Sequence, residues 1–236
     1  MAFTLQTWAL WALQIVLLPL QVLYSVAVPA VYALKLRRAR VLSVIPYDLA
    51  NAAAGLLGCC VLPVVLPFVP ASATHLPRWC WAWDNAWDSI NGDAATWAQL
   101  CAAAGVDRRS FIARLNWLCV RNGTANFSRL LLGFEVTRAT RFVNAGSWWR
   151  NGTGDHPGWL YIEATTPGGR TVFCYAALMR WGNSRRAIRT YLGWKLLWSS
   201  DGASVTPPPP GYQAQEVVYL NPLFGFNPPG TAAANH

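Results

Sequence analysis

Three carboxylates and two amides fall within ten residues: Asp84, Asn85, Asp88, Asn91 and Asp93. Oxygen-bearing side chains at this density suit a hard cation such as Ca²⁺, and paired carboxylates can share general acid and base work. The spacing is not that of a calcium-binding EF-hand loop. The alternating D-x-[DN]-x-[DN]-G pattern is missing, and no Glu closes the loop. Asn91-Gly92 is also a turn signal, and Asp93 is placed to cap a following helix. These five residues are therefore read as a candidate binding loop, with no metal ligand and no cofactor assigned. Four tryptophans, Trp79, Trp81, Trp83 and Trp87, share the loop. Indole is amphipathic, so they suit a lipid interface, with a carbohydrate-stacking platform as the functional alternative.

Other chemistry is sparse. Cys80, Cys101, Cys119 and Cys174 include no C-x-x-C pair, which argues against a zinc or thioredoxin-like site. In an oxidising compartment they would pair, and in a reducing one they would be buried thiols. Of the 3 histidines, His75 borders an apolar segment, His236 is the last residue and His156 sits in a Gly-Asp-His-Pro-Gly turn. No G-x-S-x-G elbow accompanies them. Glu163 stands alone in a predicted strand. Pro167-Gly168-Gly169-Arg170 reads as a hairpin turn without the spacing of a phosphate-binding loop. No catalytic residue is assigned.

The elements that must position the loop begin with Ala2 to Leu34, which holds no charged side chain. About 20 apolar residues suffice to span a bilayer, so a transmembrane helix is expected at about 7–34. Trp8, Trp11, Tyr24 and Tyr32 suit interfacial positions. A second apolar stretch, Ala52 to Val69, predicts a second span at about 50–69. Its Ala54 and Gly58 have the small-xxx-small spacing that lets another element approach closely. Residues 1–70 are thus read as a membrane anchor, 71–226 as a soluble domain and 227–236 as a disordered tail. Lys35, Arg37, Arg38 and Arg40 lie between the two stretches, and with Trp79, Trp81 and Trp83 they are the expected membrane-interface residues. Positive loops stay cytoplasmic. The soluble part is then periplasmic if both segments span and cytoplasmic if only the first does.

The net charge is +9, and all but two of the 19 basic residues are Arg. No run of five or more basic residues occurs, so no specific nucleic-acid partner is expected. Charged residues make up 12% of the chain and hydrophobic ones 54%, which points to the lipid bilayer as a partner. Beyond the loop, Ala94 to Ala104 predicts a short helix stopped by Gly105. Asp107 is expected to cap a second helix reaching Arg121, with Arg108, Arg109 and Arg114 away from its apolar face. Runs at 159–166, 170–181, 186–198 and 213–220, separated by turn clusters, predict an antiparallel β-meander of about four strands. The fold class expected is a membrane-anchored α+β protein with one or two N-terminal transmembrane helices.

The order of short motifs adds a resemblance. Leu76-Pro77-Arg78-Trp79 leads into Trp83-Asp84-Asn85 and closes at Gly92-Asp93. Arg114-Leu115-Asn116-Trp117-Leu118, Arg121-Asn122, Leu192-Gly193-Trp194-Lys195 and Pro222-Leu223-Phe224-Gly225 follow. This series resembles a family of uncharacterised tailed-bacteriophage proteins, over roughly residues 76 to 225. The resemblance implies a phage product acting in a bacterium, for which the apolar segments give the host inner membrane as the expected location, and it implies no activity. The function expected is that of a membrane-anchored accessory protein binding a protein or envelope component, or modifying the envelope. The alternatives are a membrane-tethered enzyme acting on an envelope polymer through Asp84, Asp88 or Asp93, and a virion component that inserts into the host membrane during genome delivery.

Overall fold

The computed structural model describes residues 2–224 except 86, 95, 122–123, 148–149, 152–153, 156–157, 182–185 and 198–206. His156, Asn122, Gly123, Gly225, the turns expected at 182–184 and 199–202 and the tail from 227 lie outside the described residues. Two compact units are present: Met1–Val28 with Ile45–Leu132, and Pro29–Val44 with Gly133–His236. Neither boundary falls at residue 70, where the change from apolar to polar sequence places it.

In the first unit, α1 (Ala2–Val16) is followed by α2 (Leu18–Leu36). The single helix expected over 7–34 is broken at Leu17. Pro19, which has no N–H to donate, sits in the first turn after the break. Hydrogen bonds from Leu17 N to Leu13 O and from Gln21 N to Leu17 O keep the chain winding across it. Helix α3 (Ile45–Val65) opens with Pro46 in its first turn and ends in a tighter turn, Leu66–Phe68. By length and composition, Pro19–Leu36 and Ala39–Phe68 are apolar enough to cross a membrane, and only 22% and 28% of an apolar 18-residue segment of each is buried. Leu20, Leu23, Leu57, Val64 and Phe68 all point outward.

The other side of α3 belongs to a core. Cys59, Leu62, Val65, Leu66 and Val69 cluster with Leu76, Cys80, Ile90, Trp97, Cys101, Leu115, Trp117 and Leu118. The expected anchor and the expected soluble domain thus share one interior. Helix α1 is tied into it by polar bonds as well as packing. Trp11 Nε1 donates to the Cys59 carbonyl at 2.9 Å, and Asn116 Nδ2 donates to Thr7 Oγ1 at 2.9 Å. Trp11 is therefore occupied inside the protein rather than at an interface. Asp48, on the first turn of α3, is buried and hydrogen-bonded with Ser25.

Helix α4 (Thr96–Ala103) and α5 (Phe111–Leu115) complete this unit. The wider π-helical turns Asn116–Arg121 and Phe127–Leu131 follow. The cap of α5 is Ser110, whose Oγ accepts from Ala113 N at 3.4 Å. Asp107, the expected cap, instead accepts from Arg109 N one turn earlier, which sets up the bend that delivers Ser110.

The second unit is built on a five-stranded antiparallel sheet with neighbours in chain order. Its strands are β1 (Arg141–Ser147), β2 (Gly158–Thr165), β3 (Thr171–Arg180), β4 (Arg186–Trp194) and β5 (Glu216–Phe224). The meander has one more strand than expected. The addition, β1, is an edge strand whose Asn144 and Gly146 carry little strand propensity, and its Val143 faces out. Two-residue pairings join Phe134–Glu135 to Gln213–Ala214, and Arg150–Asn151 to Gly154–Asp155.

On one face, Tyr161 lies opposite Tyr175, and Tyr175 opposite Leu192. Residues 29–44 pack across this face. Tyr32 OH bonds with Thr190 Oγ1 at 3.0 Å, and its ring lies 5.3 Å from that of Tyr175. The Arg38 guanidinium sits 4.2 Å from the centre of the Tyr161 ring. Arg38 and Arg40 reach Glu163 Oε1 at 3.7 and 3.5 Å, and Tyr161 OH donates to the same oxygen at 2.8 Å. Glu163, read from sequence as isolated, is the meeting point of three side chains. The opposite face is buried along β3 by Val172, Cys174, Ala176 and Leu178.

Gly193, on β4, has φ +97°, and a Cβ there would collide with the Phe173 carbonyl on the neighbouring strand. Gly169 has φ +84° with open space around it. Alanine at either position meets the left-handed backbone penalty of about 1–2 kcal/mol, but only Gly193→Ala also forces two strands apart. Thermal melting of the purified protein should show Gly193→Ala losing at least twice the melting temperature lost by Gly169→Ala. Equal losses would mean that the close approach to Phe173 does not matter.

Candidate functional site

The loop between α3 and α4 is held from beneath by one cation. Arg114, at the end of α5, is 2% exposed. Its Nε donates to Asn91 Oδ1 at 2.8 Å. Its Nη1 donates to the carbonyls of Val69 and Pro70 at 3.2 and 3.0 Å. Its Nη2 donates to those of Ala71 and Ala73 at 2.9 and 3.0 Å. A guanidinium has five N–H donors, and all five are used. The expectation that Arg114 lies away from the apolar face of its helix is overturned. The chain leaving α3 has bare carbonyls because Pro67 and Pro70 interrupt regular structure, and Arg114 satisfies them.

This arrangement decides what the five loop residues do. Asp84 is buried, and its Oδ2 takes the His75 ring N–H edge at 3.1 Å and the Leu76 N–H at 3.3 Å. Its Oδ1 accepts from Asn85 N at 2.8 Å. Asn85 Oδ1 accepts from Trp87 N and Asp88 N at 3.0 and 3.3 Å, a side-chain turn. Asn91 bridges Arg114 to the Ala73 carbonyl, to which its Nδ2 donates at 3.0 Å. Asp93 Oδ1 accepts from Trp97 N at 3.1 Å and caps α4, as its position before that helix suggests. Asp88 alone among the five is exposed. Among the described residues, no three His, Cys, Asp or Glu side chains converge to hold a metal ion.

The tryptophans divide. Trp79, Trp81 and Trp87 are exposed, and Trp87 lies 3.7 Å below the Arg129 guanidinium. Trp83 turns inward, and its Nε1 donates to the Ala54 carbonyl of α3 at 2.8 Å. The ring occupies the space over Gly58, where a Cβ would come within 2.6 Å of Trp83 Cδ1. The small residues of α3 do permit a close approach, but the partner is an indole and not a second helix. The basic residues divide as well. Arg38 and Arg40 are engaged with Glu163, Lys35 Nζ lies 3.4 Å from Met179 Sδ, and Arg37 is exposed at φ +53°.

Cys80, Cys101, Cys119 and Cys174 are all buried, free thiols. Burial pushes the Cys80 thiol up. It does the same for Cys101, with Arg108 and Arg121 pulling part of the way back. Cys119 is held up by its hydrogen bond with Cys59 and by burial, and Cys174 is pushed up to about 12 by burial. A thiol that stays protonated is a poor nucleophile. The described site therefore offers one free carboxylate, three exposed indoles and the Arg129 cation, a set suited to binding more than to bond-breaking.

Sequence reading missed Arg114, Asp48 and the partners of Glu163. The first could have been suspected from an arginine at helical spacing among Phe111, Leu115 and Leu118. The other two depend on contacts between residues far apart in the chain, which carry no local signal. Residues 39–225 match the family of unknown function DUF7338, and the chain belongs to that family. No curated protein and no solved structure shows a significant match to it.

Removing the Arg114 fork takes the side-chain donor from the Val69 and Ala71 carbonyls and from Asn91 Oδ1, while the Pro70 and Ala73 carbonyls keep Ala73 N and Asn91 Nδ2. Arg114→Met should destabilise the protein by roughly 3–5 kcal/mol, the range for uncompensated buried polar groups and broken buried networks. Arg114→Lys, with three donors on a narrower head, should recover only part of that. Asp84→Asn should cost about 1–3 kcal/mol by opposing backbone donors with an amide. Asp88→Asn should stay within about 0.5 kcal/mol. Denaturant unfolding of the purified variants gives the order; a stable Arg114→Met protein would remove the guanidinium from its structural role.

Proposed function

We propose that this DUF7338 protein is a membrane-anchored phage accessory protein that binds a protein or envelope component of the host and catalyses no reaction of its own. The observation that carries the reading is the apolar surface that α3 and the part of α2 before Pro29 leave mostly uncovered by the protein itself. Water in contact with that surface costs about 25 cal/mol per Å², and a bilayer removes the cost. The loop supports the binding half of the reading. Its acidic residues are spent on structure, and what it exposes is Trp79, Trp81, Trp87 and Asp88. The tethered-enzyme alternative is left with Asp88, since Asp84 and Asp93 are committed to backbone donors.

The second unit by itself supports a cytoplasmic sheet. Lys35 to Arg40 and the sheet form one compact body joined through Glu163 and Tyr161. Both then face the same side of any bilayer, and the positive-inside rule makes that side the cytoplasm. Residues 45–132 leave this unit at Val44 and rejoin it at Gly133. Their two ends share a side, so α3, the one described helix among them long and apolar enough to cross, would sit in the bilayer without carrying the chain through it. This departs from the expected arrangement in which two spans carry the sheet to the periplasm.

The test uses full-length protein in which exposed Cys60 is replaced by Ala. Single cysteines are placed at Arg37→Cys and at Gly168→Cys in the exposed turn after β2, and intact cells are treated with a membrane-impermeant maleimide. Both sites should resist labelling until the bilayer is opened, and the protein should stay in the membrane pellet after alkaline washing. Labelling of Gly168→Cys but not Arg37→Cys on intact cells would refute the shared side. Release into the wash would refute the anchor.

A further inference from the structure

A cavity of about 450 Å³ lies in the first unit between α1, α4 and the turns at 116–121. Phe3, Leu10, Leu100 and Val120 form apolar walls, and Gln6, Asn116 and Arg121 supply the polar end. The size falls within the roughly 300–1,000 Å³ of small-molecule sites. We infer that this cavity binds one acyl chain of an anionic amphiphile, with the anionic oxygens on Arg121.

Three features select that ligand. First, Arg121 is a held cation without a counter-charge. Its guanidinium lies 5.2 Å from the Trp97 ring and 5.7 Å from the Trp117 ring, and among the described residues it makes no ion pair. Cation–π contacts fix the position of a guanidinium without using its N–H donors, which stay available for two oxygens of a phosphate or carboxylate. Second, the lining holds no Asp or Glu, so nothing repels an anion, and a cationic head would meet Arg121 directly. Third, the wall formed by α1 belongs to a helix that turns Leu5, Leu13 and Val16 outward. A lipid can therefore reach the cavity along an apolar surface, whereas a soluble polar metabolite would find few partners inside. The Asn116 amide is spent on Thr7, which leaves Arg121 and Gln6 as the groups that read the headgroup.

The shared chemistry is an anionic oxygen head on a long alkyl chain, and it has two sources: a bilayer phospholipid and a free fatty acid. The inference does not depend on the chain crossing the membrane. A protein that washes off the bilayer can still bind such a ligand, so the two readings fail separately.

The experiment is native mass spectrometry of the full-length, delipidated protein in detergent, offered phosphatidylglycerol, phosphatidylcholine and oleate in turn. One retained phosphatidylglycerol, with phosphatidylcholine retained at least tenfold less, assigns the site to a bilayer lipid. One retained oleate without phosphatidylglycerol assigns it to a fatty acid. Arg121→Gln should abolish the preference for the anion, and Leu100→Trp, which fills the cavity, should abolish retention. Both variants should keep the wild-type circular dichroism spectrum and lipid-free melting temperature. If either variant misfolds, Ala102→Trp, on the exposed side of α4 and outside the lining, serves as the folding control, and Val120→Trp replaces the failed block. Equal retention of anionic and zwitterionic lipid by the wild-type protein, or unchanged retention by a folded cavity-filling variant, would overturn the assignment.

Discussion

Arg114 places a full positive charge inside the first unit, and among the described residues no carboxylate forms an ion pair with it. Burial disfavours the charged form, yet a guanidinium does not give up its proton in proteins. The charge is tolerated because five oxygen dipoles surround it. Four of these are main-chain carbonyls from residues 69–73, the stretch that carries the chain out of the apolar helix α3. The fifth is Asn91, in the candidate loop. One side chain thus joins the apolar helix, the loop and α5. The exit of α3 and the course of the loop are tied together by this bond set. It also explains why the loop is not an open acidic site: its polar atoms are shared out among internal donors before any ligand arrives.

The second unit is organised by a different balance. The ion pairs from Arg38 and Arg40 to Glu163 are partly exposed, and pairs of that kind contribute about 0–1 kcal/mol. The buried contacts beside them matter more. Tyr32 packs on Tyr175 and bonds with Thr190, and Val41 and Val44 are fully covered. The segment 29–44 therefore serves as one layer of the sheet unit. The boundary between the two units falls inside α2 at Pro29, a residue that cannot donate a helix hydrogen bond. The same helix presents apolar side chains on one side of that proline and a sheet-packing face on the other.

How far the sequence could be read depends on the range of the signal. Local signals read well. Gly105 stops α4 at positive φ, Asp93 caps it, and the turn at 167–169 joins two paired strands. The alternation of Ile188, Thr190, Leu192 and Trp194 does mark one face of β4, and Thr190, Leu192 and Trp194 are buried. Strand β1 was not legible, because an exposed edge strand needs no alternation. The Asp107 cap was displaced by three residues to Ser110, beyond the one or two residues by which helix ends usually shift. The candidate loop was found as a stretch with its helix cap, but which of its side chains bond inside the protein was not legible. A cluster of Asp and Asn has the same composition whether it holds a ligand or holds itself.

By itself, the sequence determined the α+β class, the presence of two helices apolar enough to span a membrane, the antiparallel meander and the turns that punctuate it. These follow from residue types within about ten positions of one another. The tertiary structure alone decided that residues 29–44 belong with the sheet, that both sides of residue 70 share one core, that Trp83 fills the gap over Gly58, and that Arg114 consumes the carbonyls and the amide beneath the loop. Each is a contact between residues far apart in the chain, and each turns on whether a polar atom finds its partner inside the protein or in the solvent. No local pattern encodes that choice, because the same donors and acceptors can be satisfied either way until the chain is packed.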